Sequence, residues 1–184
     1  MAEGYYTEKR SRFLSFALPA RTVEEVMEFV REYRKKFYDA HHVCWAYILG
    51  PDRKTFRAND DGEPSSTAGK PILGQINSNE LTDILVIVVR YFGGIELGTG
   101  RLAVAYRKAA AQAITAAEIE ERTVDEDMTI IFEYPDLNKV MHIIKEEQVE
   151  IISKKIDMTC EITLRIRKSL SERLKNKFSG IIYR

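Results

Sequence analysis

Between Asp60 and Pro71 the chain reads Asp60-Asp61-Gly62-Glu63-Pro64-Ser65-Ser66-Thr67-Ala68-Gly69-Lys70-Pro71, which puts three carboxylates, three hydroxyls and a lysine into one short stretch. Oxygen donors at that density suit a hard cation, and Asp60, Asp61 and Glu63 could equally orient a partner or move protons. A plainer reading is a surface turn shaped by Gly62, Pro64, Gly69 and Pro71, with Ser66 or Thr67 capping the helix that follows. Composition favours the plainer reading.

A second stretch runs Arg90-Tyr91-Phe92-Gly93-Gly94-Ile95-Glu96-Leu97-Gly98-Thr99-Gly100-Arg101. It leaves an aliphatic strand through a double-glycine turn and opens a helix at Gly98, and its glycines are expected to shape a binding surface rather than to serve packing. Unpaired amides at the helix N-terminus, beside Arg101, make a reasonable anion site. Gly98-x-Gly100-x-x-Ala103 matches a dinucleotide fingerprint in form only, since several residues separate it from the strand and no second parallel strand ending in an acid follows. Arg101, Lys108, Gln112 and Thr115 share one polar face of the helix, and Arg107 adds a further cation. With Arg57, Lys70 and Arg90 close by, that face would become a basic patch.

His41, His42 and Cys44 invite a metal or nucleophile reading. On a strand, His42 and Cys44 share a face while His41 points away, so at most two ligands converge and core packing is the better account. In the C-terminal third, Lys154 and Lys155, together with the alternating Arg165 and Arg167, could present a basic sheet face to RNA. Against a binder dominated by phosphate contacts stands the charge balance: 28 basic and 28 acidic residues, net zero. No cofactor is expected, and the two cysteines, Cys44 and Cys160, read as buried free thiols.

These residues need elements to hold them. Arg12 to Leu18 reads as a strand, and Thr22 with Glu25 forms a capping box for a helix whose apolar stripe is Val23, Val26, Met27, Val30, Tyr33 and Phe37. His42–Leu49 and Arg53–Ala58 read as strands joined by a turn at Gly50-Pro51-Asp52-Arg53. Pro71–Ile76 is a short helix, Ile84–Tyr91 a buried strand, and Gly98–Ala117 a long alanine-rich helix able to approach a sheet closely. The order so far is βαββαβα. The acidic Asp125-Glu126-Asp127 reads as a linker, after which Met128–Tyr134, a helix through Leu137, Val140, Met141 and Ile144, strands at 149–156 and 158–166 and a last helix through Leu170, Leu174 and Phe178 give βαββα. A short strand at Ile181-Ile182-Tyr183 would follow. The fold class is therefore α+β in two domains, 1–122 and 123–184. The N-terminus has no apolar signal region and no run reaches membrane-spanning length, so a soluble, cytoplasmic protein without a membrane partner is expected.

Ser11-Arg12-Phe13, Ala40-x-His42-x-Cys44-x-Ala46-Tyr47, Asp60 to Pro71 and Val88 to Tyr106 together resemble the bacterial YigZ branch of the IMPACT family. The resemblance runs over essentially the whole chain. It implies an N-terminal domain with the superfold of the fourth domain of elongation factor G and a ferredoxin-like C-terminal domain resembling that factor's fifth. Eukaryotic relatives, similar over the N-terminal domain alone, regulate translation, and RNA or ribosome binding is suggested for bacterial members from fold. Ser66 and Arg101 stand where the family usually has glycine, and the chain after Phe178 is short for a complete final strand.

The expected function is a non-enzymatic, translation-associated module that binds RNA, the ribosome or a translation factor. Its surface would comprise Arg57, Asp60, Asp61, Glu63, Ser65, Thr67, Lys70, Arg90, Tyr91, Gly93, Gly94, Gly98, Gly100, Arg101, Arg107 and Lys108, with Lys154, Lys155, Arg165 and Arg167 as a secondary basic surface. The alternatives are an enzyme or sensor for a phosphorylated small molecule held at Gly98, and a protein-interaction adaptor.

Overall fold

The computed structural model describes residues 1–181. The chain is α+β and folds as two compact units, Met1–Ile119 and a second from Glu120 onward.

In the first unit, β1 (Ala2–Glu8) and β2 (Ser11–Pro19) form a hairpin, followed by α1 (Val23–Lys36), β3 (His42–Leu49), β4 (Thr55–Asn59), α2 (Gly69–Ser78), β5 (Ile84–Tyr91) and α3 (Thr99–Thr115). The order is thus ββαββαβα, with one strand more than the sequence pattern predicts. β1 escapes because two of its inward positions are the small Ala2 and Gly4, and because its turn residues, Lys9 and Arg10, adopt positive φ (44° and 67°) without a glycine or asparagine to announce it. Sheet order is β1-β2-β5-β3-β4, antiparallel throughout.

β5 lies at the centre and is buried on both faces, which explains why it reads as an uninterrupted aliphatic run. Leu85, Ile87 and Val89 join Phe16, Trp45 and Tyr47 in a core covered by Val26, Val30 and Tyr33 of α1. On the opposite face Val86 and Val88 join Phe13, Cys44 and Ile48 beneath α2 and α3. α3 meets the sheet with Ala105, Ala109, Ala110 and Ala113, and the helix sits close enough for buried Ser15 Oγ to donate to the Ala109 carbonyl at 2.6 Å. The capping box of α1 forms from Thr22, whose hydroxyl accepts from the Glu25 amide, while Glu25 reaches back to the amide of Arg21 rather than of Thr22.

The second unit comprises β6 (Asp125–Glu133), α4 (Leu137–Glu146), β7 (Glu150–Lys155), β8 (Thr159–Arg167) and α5 (Ser171–Phe178), with sheet order β6-β8-β7. This is the βαββα order of a ferredoxin-like unit. Asp125-Glu126-Asp127, expected as a linker, is instead the start of β6: Asp125 stands opposite Arg167 and Asp127 opposite Arg165, so cross-strand charge pairing makes an acidic strand tolerable. Ile130, Phe132, Ile162 and Leu164 pack on Val140, Ile144, Leu174 and Phe178. The strand expected at Ile181-Ile182-Tyr183 lies largely outside the described residues; Ile181 itself is in a turn. Among the described residues no helix is long and apolar enough to cross a membrane.

Candidate functional site

The loop from Asp60 to Ala68 sits between β4 and α2, and each of its carboxylates has a separate task. Asp60 accepts from the amides of Ser66, Ala68 and Gly69 at 2.9, 3.0 and 2.8 Å, so it caps α2 from across the loop. The cap expected from Ser66 or Thr67 is not made, because Thr67 Oγ1 turns back to the Pro64 carbonyl at 2.6 Å. Asp61 accepts from the Val43 amide at 2.7 Å and is ion-paired with Arg34, which fastens the loop to β3 and α1.

Glu63 points inward. Its side chain is 3% exposed, and Oε1 accepts from Arg90 Nη1 at 2.6 Å and from the Tyr106 hydroxyl at 2.7 Å. Arg90, 8% exposed at its side chain, has its guanidinium over the rings of Phe13 and Phe92. Its Nε is buried and has no hydrogen-bond partner among the described residues. The Asp61 carbonyl lies 2.8 Å from His42 Nδ1, and since a carbonyl can only accept, Nδ1 carries the proton. Nε2 of the same ring lies 3.8 Å from Glu63 Oε2. Cys44 Sγ lies 3.0 Å from the Asp60 carbonyl and 3.3 Å from the Tyr106 hydroxyl. Burial, with smaller additions from Glu63, Asp61 and Asp60, pushes the Cys44 thiol well up, and burial does the same to Tyr106. That shift favours the thiol over the thiolate, which is the nucleophilic form.

The three carboxylates therefore diverge, one to helix amides, one to β3 and α1, one to a buried arginine and tyrosine. That arrangement leaves no shared oxygen cage of the kind a hard cation needs. Each carboxylate is engaged by a hydrogen bond or ion pair within the fold. Tyr106 is the residue the sequence reasoning missed. The available signal was a lone tyrosine on a helix stripe otherwise made of Leu102, Ala105, Ala109, Ala110 and Ala113, whose buried hydroxyl must find a partner.

The glycine-rich turn divides by role. A side chain at Gly93 would drive its Cβ to 2.1 Å from the Arg10 backbone, so this glycine serves packing against the β1–β2 turn, contrary to the expectation for the whole segment. Gly94, Gly98 and Gly100 face open space, and Gly98 holds φ 73° at the α3 N-terminus. The first turn of α3 carries no acidic residue. Around this turn Phe92, Ile95 and Val104 are 41, 40 and 42% exposed.

The loop and the α3 N-terminus lie on the same face of the sheet, and what joins them is the buried Glu63–Tyr106 contact. Of the sequence-predicted residues, Ser65, Lys70, Gly94, Gly98, Gly100, Arg101, Arg107 and Lys108 are exposed there, Gly93 is half-buried, and Glu63, Thr67 and Arg90 are buried, whereas half-buried Tyr91 packs on the α1 side of the sheet and donates to Asp39. The basic patch does not assemble as imagined. Arg90 is consumed by Glu63, and Arg57 stacks over Trp45 on the α1 face of the sheet, opposite to α3. Ser66 holds φ 64°, which accounts for glycine at that position in the family pattern. In the second unit Lys154 and Lys155 are exposed on β7, whereas Arg165 bonds Asp127 at 3.2 Å with Glu150 also opposite it, and Arg167 faces Asp125. That sheet face is charge-matched within itself.

Residues 9–114 match the family described as Impact N-terminal domain. Over 158 residues the chain is 35% identical to an IMPACT family member of Bacillus subtilis, YvyE, covering 80% of this chain and 73% of that one. It is 34% identical over 160 residues to YigZ of Escherichia coli, covering 86% and 78% respectively. A crystal structure of a hypothetical protein aligns with a TM-score of 0.67 at 29% identity, over 97% of this chain and 88% of that one.

Proposed function

The chain belongs to the IMPACT family, and on that premise we propose that it is a non-enzymatic, translation-associated binding module whose partner is RNA, the ribosome or a translation factor. The observation that carries this reading is the division of labour within the site. Groups able to do chemistry (Asp60, Asp61, Glu63, His42, Cys44) are engaged in holding the loop, while the neighbouring turn and the start of α3 leave Phe92, Ile95, Val104 and Arg101 exposed. Exposed apolar side chains in the same segment as free helix amides suit a macromolecular surface better than a small phosphorylated ligand, which would need an enclosed pocket. Lys70 of α2 and Arg107 and Lys108 of α3 are likewise exposed.

The translation link comes from the family, whose eukaryotic members regulate translation. Co-sedimentation of the purified chain with ribosomes across a salt series tests the reading. Binding at low salt that weakens as salt rises is the expected result. Absence of both ribosome and RNA binding at low salt would refute it.

A further inference from the structure

β1 is an edge strand, and two concavities flank its outer side. One is lined by Tyr5, Leu14 and Phe16 with Glu3 and Gly4, the other by Tyr6, Lys108, Ala111, Thr115 and Ala116, and Gln112 borders both. They lie on opposite faces of the strand, since Tyr5 stands beside Leu14 on the α1 side whereas Tyr6 faces α3.

The main-chain chemistry of the edge follows from the hairpin. Lys9 and Arg10 form a two-residue turn with both φ positive, the type I′ geometry, closed by Glu8 and Ser11. In such a hairpin the closing pair exchanges N–H···O bonds and every second pair thereafter does the same. Tyr6, Gly4 and Ala2 therefore direct their amides and carbonyls to β2. Glu3, Tyr5 and Thr7 direct theirs outward, and all three residues are exposed, Tyr5 by 53%. Among the described residues no further main-chain bond occupies them.

Helix α3 borders this edge without closing it. A Cβ on Gly4 would come within 2.6 Å of the Ala113 nitrogen and 2.8 Å of Gln112 Cβ, so glycine lets the helix lie directly on β1 and brings Gln112 level with the edge. Lys108 Nζ lies over the Tyr6 ring at 5.2 Å and 3.4 Å from its hydroxyl, which itself donates to Glu8 Oε2 at 2.8 Å, and Lys108 makes no direct ion pair among the described residues. Exposed Lys9 and Arg10 stand at the end of the same strand.

An added strand would project its side chains alternately to the two faces, and a concavity waits on each. We propose that the β1 edge accepts an extended segment of a protein partner as a sixth strand. Its main chain bonds to Glu3, Tyr5 and Thr7, its apolar side chains enter the concavity of Tyr5, Leu14 and Phe16, and its alternate, acidic side chains meet Lys108. Such strand addition takes affinity from the main-chain bonds and specificity from the alternating pockets. This goes beyond the translation-associated reading and shares only Lys108 with its surface.

The test uses a displayed library of short peptides, about the length of a strand, selected on the full chain. Selected peptides are then synthesised and titrated on the purified protein without RNA or ribosomes. The expected result is an alternating apolar–acidic consensus, slowed hydrogen exchange at the Tyr5 and Thr7 amides on binding, and affinity lowered roughly tenfold or more by Lys108→Glu, equivalent to about 1.4 kcal/mol. Tyr5→Pro removes an outward N–H that the β1–β2 ladder does not use and should weaken binding similarly. N-methylation of alternate peptide amides does so without altering the protein, so a folding defect in the proline variant leaves the test intact. Three results would overturn the proposal: no selected peptide binding in the micromolar range, unchanged exchange at Tyr5 and Thr7 in the complex, or a second copy of the chain protecting those amides and resisting displacement by peptide. Ribosome co-sedimentation and peptide binding are separate assays, so either reading can fail alone.

Discussion

The Tyr106 hydroxyl donates to Glu63 Oε1 at 2.7 Å, and through this contact α3 holds the polar loop that precedes α2. Arg90 shares the same oxygen, so removing Glu63 leaves a buried guanidinium without its counter-ion. Glu63→Ala is expected to destabilise the N-terminal unit by about 3–5 kcal/mol. Tyr106→Phe, which deletes only a hydroxyl, should cost about 1–2 kcal/mol. Urea unfolding followed by circular dichroism measures both, and near-equal, sub-kilocalorie losses would mean that the network is not what holds the loop.

Cys44 supplies a pH signature. Its folded pKa is raised, chiefly by burial, above the unfolded thiol's value of about 8.5. A group shifted in that direction contributes stability that is complete below the unfolded pKa and is lost as pH rises past it, because the unfolded chain then sheds protons that the folded chain retains. Stability should therefore fall above pH of about 9, and Cys44→Ala should flatten that decline while lowering stability at neutral pH. Tyr106, raised for the same reason, adds to the decline at higher pH. In the native protein Cys44 should resist maleimide until the chain unfolds, and rapid labelling at neutral pH would contradict its burial.

Asp60 makes a prediction about both shape and metal. Because it caps three amides at the start of α2, Asp60→Ala should cost about 2 kcal/mol, near the upper end for a lost cap, and should open the loop to proteolysis. Since the loop's carboxylates diverge, millimolar magnesium or calcium should leave the thermal midpoint unchanged and a chelator should do nothing. A midpoint that rises with either cation would restore the cation-site reading.

Much of this was legible in the residues, and the gaps have physical causes. The bounds of β3 and β5 follow directly from aliphatic runs bounded by turns, and α1 from its cap and stripe. β1 is hidden because an edge strand needs no strong hydrophobic alternation, and its turn uses Lys9 and Arg10 in left-handed backbone. Asp125 and Asp127 look like linker until their arginine partners across the sheet are known. In the loop, carboxylate density marked the right segment but not the directions of the side chains. Those depend on Arg34, Arg90 and Tyr106, which lie 27, 27 and 43 positions away from their partners. The glycine turn likewise mixes a packing residue, Gly93, with open ones, a distinction set by Arg10 in the distant β1–β2 turn.

Ser66 shows how a departure from family pattern becomes a stability prediction. Its φ of 64° lies in the left-handed region that penalises a Cβ. Ser66→Gly should raise stability by about 0.5–1 kcal/mol, the relief of left-handed strain less the entropy glycine loses on folding. Thermal or urea unfolding of the two proteins is the check, and a destabilised glycine variant would show that the serine makes a compensating contact.

The proposed function divides a locked loop from a turn left free to bind. Ribosome sedimentation of the native chain beside an Arg101→Glu/Arg107→Glu variant tests it most directly, because both arginines are exposed and neither belongs to the Glu63 network. The predicted result is co-sedimentation of the native chain at low salt, with binding by the folded variant lost and its thermal midpoint unchanged. Equal sedimentation of the two proteins, or none by the native chain together with no RNA binding, would contradict it.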